Sequence, residues 1–550
     1  MTSNKRFVLV LHSHIPYVLA HGSWPHGMDW LYEAAAESYL PLLDVFRRLG
    51  EEGIAPMVNI GFTPVLAAQL KDPRFKSGFA EYLAMKIDIA AKDRAYFARI
   101  GNAQLLALTS FWEDWYARLA RSFHEEYDDD IIEGFRVLQD QGTIEVLTSA
   151  ATHSYFPLLA RDESIRHQVR QGRHTYRAYF GREARGFWLP ECAYRPAYAW
   201  RAPFGSQAAY PRLGIDEILG SEGIGYFFVD GHLLKGGEAK GVYIDRFPAL
   251  KRLWEKSRGN NRPAVESAGD PFSAYLAYPS NTAFFVRDEI SGAQVWSRSM
   301  GYPGDEWYLE FHKKHFPGGM RYWRITSSDA DLGAKAPYSP AKTRERLAEH
   351  AGHFVASIEA TLAAREEGMV VALYDTELFG HWWFEGPEWL FLVLKGLSGT
   401  SVKPSTGTTA LKSLPPRTIV SLPEGSWGQG GFHWVWLNEE TSWIWKKIYR
   451  IEELAADLEH RKDLDRRIWK QFIREKFLLE SSDWPFLIST FSARDYAQNR
   501  AAQHFERAET LAGWLKSGRR LTTAEEEFLG ICETEDDLFE EVIAPDGQVL

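Results

Sequence analysis

Two acids, Asp375 and Glu191, stand at the ends of apolar runs, where a side chain would meet a ligand rather than the core. The run 369–373 delivers Tyr374 and Asp375, and Thr376-Glu377-Leu378-Phe379-Gly380-His381-Trp382-Trp383 follows. A carboxylate at the end of a buried strand, walled by His381, Trp382 and Trp383, suits cleavage of a sugar bond. Capping is the rival role for Asp375, because Asp accepts readily from the orphan N–H groups of a following helix. Glu191 lies in Gly186-Phe187-Trp188-Leu189-Pro190-Glu191-Cys192, and a rim ion pair with Arg195 is its ordinary alternative. Taken together, the two can serve as nucleophile and acid/base in double displacement, provided they stand about 5–5.5 Å apart.

Histidines and tryptophans supply further candidates. His12 and His14 follow the run 7–11 with one residue between them, and His153 follows the run 144–147 in the same way. Hydrogen bonding to sugar hydroxyls needs nothing more. A metal site would need further ligands, for which Asp230 or His153 are available. Ordinary structural bonding is the third option. Residues 425–436 set Trp427, Trp434 and Trp436 among glycines, which favours an exposed stacking platform over core packing. Asp483, in Ser481-Ser482-Asp483-Trp484, is placed either in the cleft at a domain junction or at a helix cap.

These side chains need a scaffold that brings distant strand ends together. Seven short runs are continuously apolar: 7–11, 57–60, 144–147, 186–189, 226–229, 283–286 and 370–373. Strands buried on both faces of a parallel sheet read this way. Helical patterns over 32–49, 162–180 and 343–366 separate some of them, so the alternation predicts a (β/α)7, TIM-like barrel. His12, His14, Asn59, His153, Glu191, Asp230, Arg287, Asp288 and Asp375 would then share the rim where such barrels place chemistry. The barrel is expected over 1–397, with a helical insertion at 88–141. A Gly- and Lys-rich stretch at 234–272 reads as a lid or a plain surface insertion. The Ser-, Thr-, Gly- and Pro-rich stretch 398–423 opens a helical C-terminal domain, 398–550.

Composition removes several function classes. The 550 residues carry a net charge of -11, so there is no basic field for nucleic acid or anionic lipid. No apolar stretch has the length of a membrane span, and residues 7–11 are too short for a secretory core, so a soluble cytoplasmic protein is expected. Two cysteines, far apart, make neither a disulfide framework nor a thiolate metal site. The 21 tryptophans, many beside Gly, Pro or His, fit stacking on sugar rings.

In these segments the chain resembles glycoside hydrolase family 57, and within it the α-1,4-glucan branching enzymes. The resemblance rests on Leu11-His12-Ser13-His14-Ile15-Pro16-Tyr17, Gly142-Thr143-Ile144-Glu145-Val146, Trp188-Leu189-Pro190-Glu191, Tyr374 to Trp383, and Ser481 to Phe486, in order along nearly the whole chain. It implies a distorted (β/α)7 barrel and retaining chemistry, with Glu191 as nucleophile and Asp375 as acid/base. It also implies sugar contacts from His12, His14, Trp30, His153, Trp296, Trp427, Trp436 and Asp483, to which the wall residues His381 and Trp382 are added. No metal or other cofactor is implied, and the expected partner is an α-1,4-glucan bound by a monomer. Such enzymes carry a tyrosine at the tip of a loop after the fifth strand; Tyr243 is the nearest counterpart, in an enlarged loop. An α-amylase-like hydrolase is the nearest alternative, followed by a metal-dependent sugar deacetylase using His12, His14 and an Asp, and by a non-catalytic glucan-binding protein.

Overall fold

The computed structural model describes residues 4–204, 208–235, 251–253, 269–297, 301–327, 329–544 and 547–550. Twelve strands are described among them, beginning with β1 (Asn4–Ser13), β2 (Val58–Phe62), β3 (Ile144–Ser149), β4 (Gly186–Trp188), β5 (Tyr198–Trp200) and β6 (Tyr210–Arg212). β7 (Tyr226–Val229), β8 (Tyr275–Ala277), β9 (Ala283–Val286), β10 (Glu367–Asp375), β11 (Val402–Pro404) and β12 (Ile419–Val420) follow. The seven apolar runs are β1, β2, β3, β4, β7, β9 and β10.

Their order in the sheet is β10-β1-β2-β3-β4-β7-β9-β8-β12, so the seven follow the chain around a curled, parallel sheet. β9 and β10 do not pair as strands. The gap between them is bridged by Asp288 N–H, which donates to Val371 O at 2.8 Å. This is the distorted barrel that the alternation predicted. β8 enters antiparallel to β9, and β5 with β6 forms a separate hairpin. The sheet also runs on past residue 398: β11 lies beside the start of β1, and β12 pairs β8.

Alternation within each strand explains why every run is apolar throughout. Val8, Val10, Leu147, Trp188, Phe228, Phe285, Val371 and Leu373 fill the interior. Their neighbours Phe7, Leu9, Leu11, Ile60, Val146, Phe187, Phe227, Phe284, Val370 and Ala372 face the surrounding helices. Full burial of such side chains stabilises by about 1.5–3 kcal/mol each, which makes the strand positions the most strongly determined part of the fold.

Helices occupy Leu40–Glu51, Asp162–Phe180 and Pro340–Leu362, close to the three predicted patterns. Between β2 and β3 the helical stretch starts earlier than residue 88, with Pro64–Lys71 and Pro73–Arg99 before Ala103–Arg121 and Ile131–Asp140. Pro64 and Pro73 open the first two, a position where the missing N–H costs nothing. Asp72 caps the second by accepting from Arg74 N–H. The C-terminal part contributes Ser442–Glu459, Arg466–Leu479, Asp483–Thr490, Arg494–Ser517 and Thr523–Glu535. No helix among the described residues is long and apolar enough to cross a membrane.

Close approach of helix to strand end is enforced at Gly172, where a Cβ would lie 2.1 Å from Ser149 O. Gly172→Ala is therefore expected to destabilise by about 1–3 kcal/mol. Gly513, on an exposed helix face with nothing within 4 Å of an added Cβ, should gain up to about 1 kcal/mol as Ala. Thermal unfolding of the two variants reads the opposite signs.

Candidate active site

Parallel pairing sets the site. In the register of β1 against β10, His12 stands beside Asp375, and β2 places Gly61 on the other side of His12. Asp375 occupies the N-cap position of the short turn Thr376–Leu378, but its side chain makes no capping hydrogen bond there. Ser13 Oγ donates to Thr376 Oγ1 at 2.7 Å, fastening the two strand ends.

Glu191 follows β4 in a turn with φ 59° and ψ 23°, and Cys192 continues it at φ 46°. Left-handed backbone at two non-glycine residues costs on the order of 1–3 kcal/mol each and persists only where the surroundings hold it. Here Cys192 N–H donates to Leu189 O, and Tyr194 and Gly425 exchange both backbone bonds at 2.8 and 3.0 Å. Trp427 then touches Glu191 twice. Its backbone N–H donates to Glu191 O at 3.1 Å, and its indole Nε1–H donates to the carboxylate Oε2 at 2.6 Å. Arg195, the partner in the alternative ion-pair reading, instead lies 3.6 Å from Asp162. Burial raises the Glu191 pKa to about 8; the Trp427 bond opposes the rise, and the negative charges of Asp375 and Asp483 add to it.

A ladder of stacked rings lines the neighbouring wall. Trp188, His12, His153 and His14 follow one another at centroid spacings of 4.6, 5.0 and 4.1 Å. His12 Nε2 and His153 Nε2 lie 3.0 Å apart, so one must donate to the other's lone pair. Burial, then neighbouring histidines, hold both pKa values well below the usual range, which leaves both rings neutral. His153 Nδ1 meets Ser482 Oγ at 2.9 Å, and His14 bridges Thr63 Oγ1 and Asp483 Oδ2, both at 2.9 Å. Asp483 is thus not a cap; it sits inside its helix and points at His14. Burial pushes its carboxyl up, but His14, His153 and the bond from Ser481 outweigh that, and its pKa is lowered.

Tryptophans fall into two groups. Trp427 is half-buried, 6.4 Å from Trp296, whose Nε1–H donates to Leu373 O at 3.4 Å. Trp30 is half-buried against His26 and Tyr496. The exposed platform expected of residues 425–436 is not formed. Trp436 is 1% exposed and stacks on Tyr155 at 4.3 Å, while Trp434 is buried with its indole donating to Gln429 O. The glycines there let the chain pack closely: a Cβ on Gly428 would fall 2.7 Å from the Trp436 ring.

The wall expected around Asp375 also divides. Gly380, at φ 112°, turns the chain against Glu37 O, leaving no room for a Cβ. Past that turn His381 Nδ1 meets Glu37 Oε2 at 2.8 Å and Trp382 lies on Phe311 at 4.5 Å. Trp383 is core, packed on Tyr308 and Trp389. Asp230, considered as a metal ligand, is bound to Arg287 and His232. Tyr243 and most of the expected lid lie outside the described residues.

Glu377 was not anticipated. Two residues beyond Asp375, it accepts from His14 N–H at 3.1 Å and from the Tyr39 hydroxyl, and burial raises its pKa to about 8. Only its place after the same strand end signalled it.

Residues 8–423 match glycosyl hydrolase family 57, and residues 444–544 match the C-terminal domain of 1,4-alpha-glucan branching enzymes. A 1,4-alpha-glucan branching enzyme of Thermococcus kodakarensis is 42% identical over 97% of this chain and 77% of its own. The crystal structure of a GH57-type branching enzyme from Pyrococcus horikoshii superposes with a TM-score of 0.87 at 40% identity, covering 98% of this chain and 96% of that one. The α-amylase AmyC of Thermotoga maritima gives 0.80 at 28% identity, covering 98% and 97%.

Glu191 and Glu377 bear on stability in the same sense. Each has a folded pKa above its unfolded value, so its stabilising share is complete below about pH 4.5 and is lost as pH rises through about 8. Gln reproduces the protonated acid without the later charge. Glu191→Gln and Glu377→Gln should each melt above the parent at pH 9, and the gap should close toward pH 5.

Proposed function

The chain belongs to glycosyl hydrolase family 57, and from that membership we propose that it cleaves an α-1,4 bond in a glucan and remakes it as an α-1,6 branch. In this reading it is a 1,4-α-glucan branching enzyme. Glycogen-like chains are its substrate, and it works as a cytoplasmic monomer.

Glu191 attacks the anomeric carbon while Asp375 protonates the departing oxygen; Asp375 then takes the proton of an incoming glucose 6-hydroxyl. The raised pKa of Glu191, mainly an effect of burial, opposes its ionisation, and this sequence relieves part of that opposition. Asp375 must begin protonated, and once it is neutral its charge no longer opposes ionisation of Glu191. Trp427 favours the ionised form through the 2.6 Å bond, and positive charge developing on the sugar favours it further. His12 and His153 meet hydroxyls as neutral rings, with His14 beside them on Asp483, and Trp427, Trp296 and Trp30 offer faces for stacking.

The likeness to branching enzymes carries transfer rather than hydrolysis: residues 444–544 match their C-terminal domain, identity to a branching enzyme is 42% against 28% to the amylase, and from the matched region Ser482 and Asp483 reach His153 and His14. The fold shared with an α-amylase makes hydrolysis the second reading.

Amylose incubated with the enzyme and followed by proton NMR should gain α-1,6 signals with almost no new reducing ends. Reducing ends without α-1,6 linkages would select the amylase. Glu191→Gln should abolish turnover, and Asp375→Asn should lower it by about 10²–10⁴-fold. With an α-glucosyl fluoride, whose leaving group needs no proton, Asp375→Asn should form the glycosyl-enzyme at lower pH than the parent, because a like charge beside Glu191 is gone.

A further inference from the structure

Glu377 takes no part in the transfer steps, yet it is a carboxyl only 8% exposed, two residues beyond Asp375. Burying an acid costs solvation that an apolar side chain of similar size would not lose. Its bonding partners give it a use. One oxygen, Oε1, accepts both from His14 N–H, at 3.1 Å, and from the Tyr39 hydroxyl.

Those two donors stand on different elements. His14 directly follows β1, while Tyr39 ends the helical stretch Ala35–Tyr39 and packs on Phe62, the last residue of β2, with ring centroids 6.0 Å apart. The backbone of Glu377 is held as well, because its carbonyl accepts from Trp382 N–H at 3.1 Å. Beside it, Thr376 is bonded to Ser13. The turn that leaves Asp375 is therefore pinned to the end of β1 and to the helix behind it, and Asp375 is the last residue of the strand so pinned.

Two donors on one oxygen suit a neutral acid. Burial raises the Glu377 pKa to about 8; the bond from Tyr39 opposes the rise, and the charge of Asp375 adds to it. Below that pH the group is a carboxylic acid whose carbonyl oxygen takes both donors, and a glutamine amide offers the same acceptor. Leucine fills similar space and leaves His14 N–H and the Tyr39 hydroxyl without it.

We propose that Glu377 is a positioning residue for the acid/base: by tying the turn after Asp375 to His14 and Tyr39, it sets the Asp375 carboxyl within reach of the glycosidic oxygen. It rests on the reading of Asp375 as the acid/base of a glucan-active enzyme. Glu191 is held separately, by Trp427 and by the backbone pair of Tyr194 and Gly425. Loosening the turn therefore weakens proton donation and spares nucleophilic attack.

Two donors separate these steps: amylose, whose leaving oxygen needs a proton, and an α-glucosyl fluoride, whose leaving group does not. In Glu377→Leu, kcat on amylose should fall about 10–100-fold, while fluoride release in the first turnover should change by less than about three-fold. Tyr39→Phe, which removes one donor and little volume, should show the same selectivity at about three- to ten-fold. Glu377→Gln should bring the amylose rate back to within about three-fold of the parent. Equal losses on the two donors, an amylose rate unmoved in both Glu377→Leu and Tyr39→Phe, or no rescue by Gln overturns the proposal. Should Glu377→Leu fail to fold, Tyr39→Phe and Glu377→Gln decide it in the same way. Asp375→Asn distinguishes the two readings: selectivity there but not in the Glu377 and Tyr39 variants overturns the positioning role alone, and equal losses in Asp375→Asn overturn the acid/base assignment as well.

Discussion

Everything around the cleft is arranged about one interaction, the bond from Trp427 Nε1–H to the half-buried Glu191 carboxylate. A lone carboxylate there would take up a proton and stay neutral. A charge-assisted bond of 2.6 Å is the main local force that holds it ready to ionise. That bond requires residues 425–427 to lie across the end of β4, which the paired backbone bonds of Tyr194 and Gly425 secure. It requires the left-handed turn at Glu191 as well, so the strain of that turn belongs with the chemistry it permits.

The second constraint is that cleft residues come from opposite ends of the chain. His14 and Asp483 are 469 positions apart, and His153 and Ser482 are 329 apart. Loosening of the C-terminal helices would therefore release three histidines from their hydrogen-bond partners or stacked neighbours together. Neutral His12 and His153 add no charge to a site that already holds Glu191, Asp375 and Asp483. This keeps the local electrostatics set by carboxylates and by the sugar's own developing charge.

How much of this was legible follows from what sequence periodicity encodes. Parallel strands buried on both faces leave unbroken apolar runs, so all seven were visible, and with them the strand-end positions of His12, His153, Glu191 and Asp375. Direction beyond a strand end is not encoded in that way. Trp434 and Trp436 sit among glycines that signalled exposure, yet those same glycines permit close packing over the rings. His381, Trp382 and Trp383 are consecutive, but the reversal at Gly380 sends each to a different neighbour. The pairing of His14 with Asp483 joins segments that no local pattern links. Helices before residue 88 went unread, although proline at a first helical turn, as at Pro64 and Pro73, begins a helix.

The central claim is that Glu191 carries the glycosyl group between donor and acceptor. The most direct measurement is mass spectrometry of a peptic digest after the enzyme has been quenched with a slowly turned-over activated α-glucosyl donor. The peptide containing Glu191 should gain one glycosyl unit, in an ester linkage lost at alkaline pH. A glycosyl unit found on Asp375, Glu377 or Asp483, with Glu191 unmodified, would contradict it.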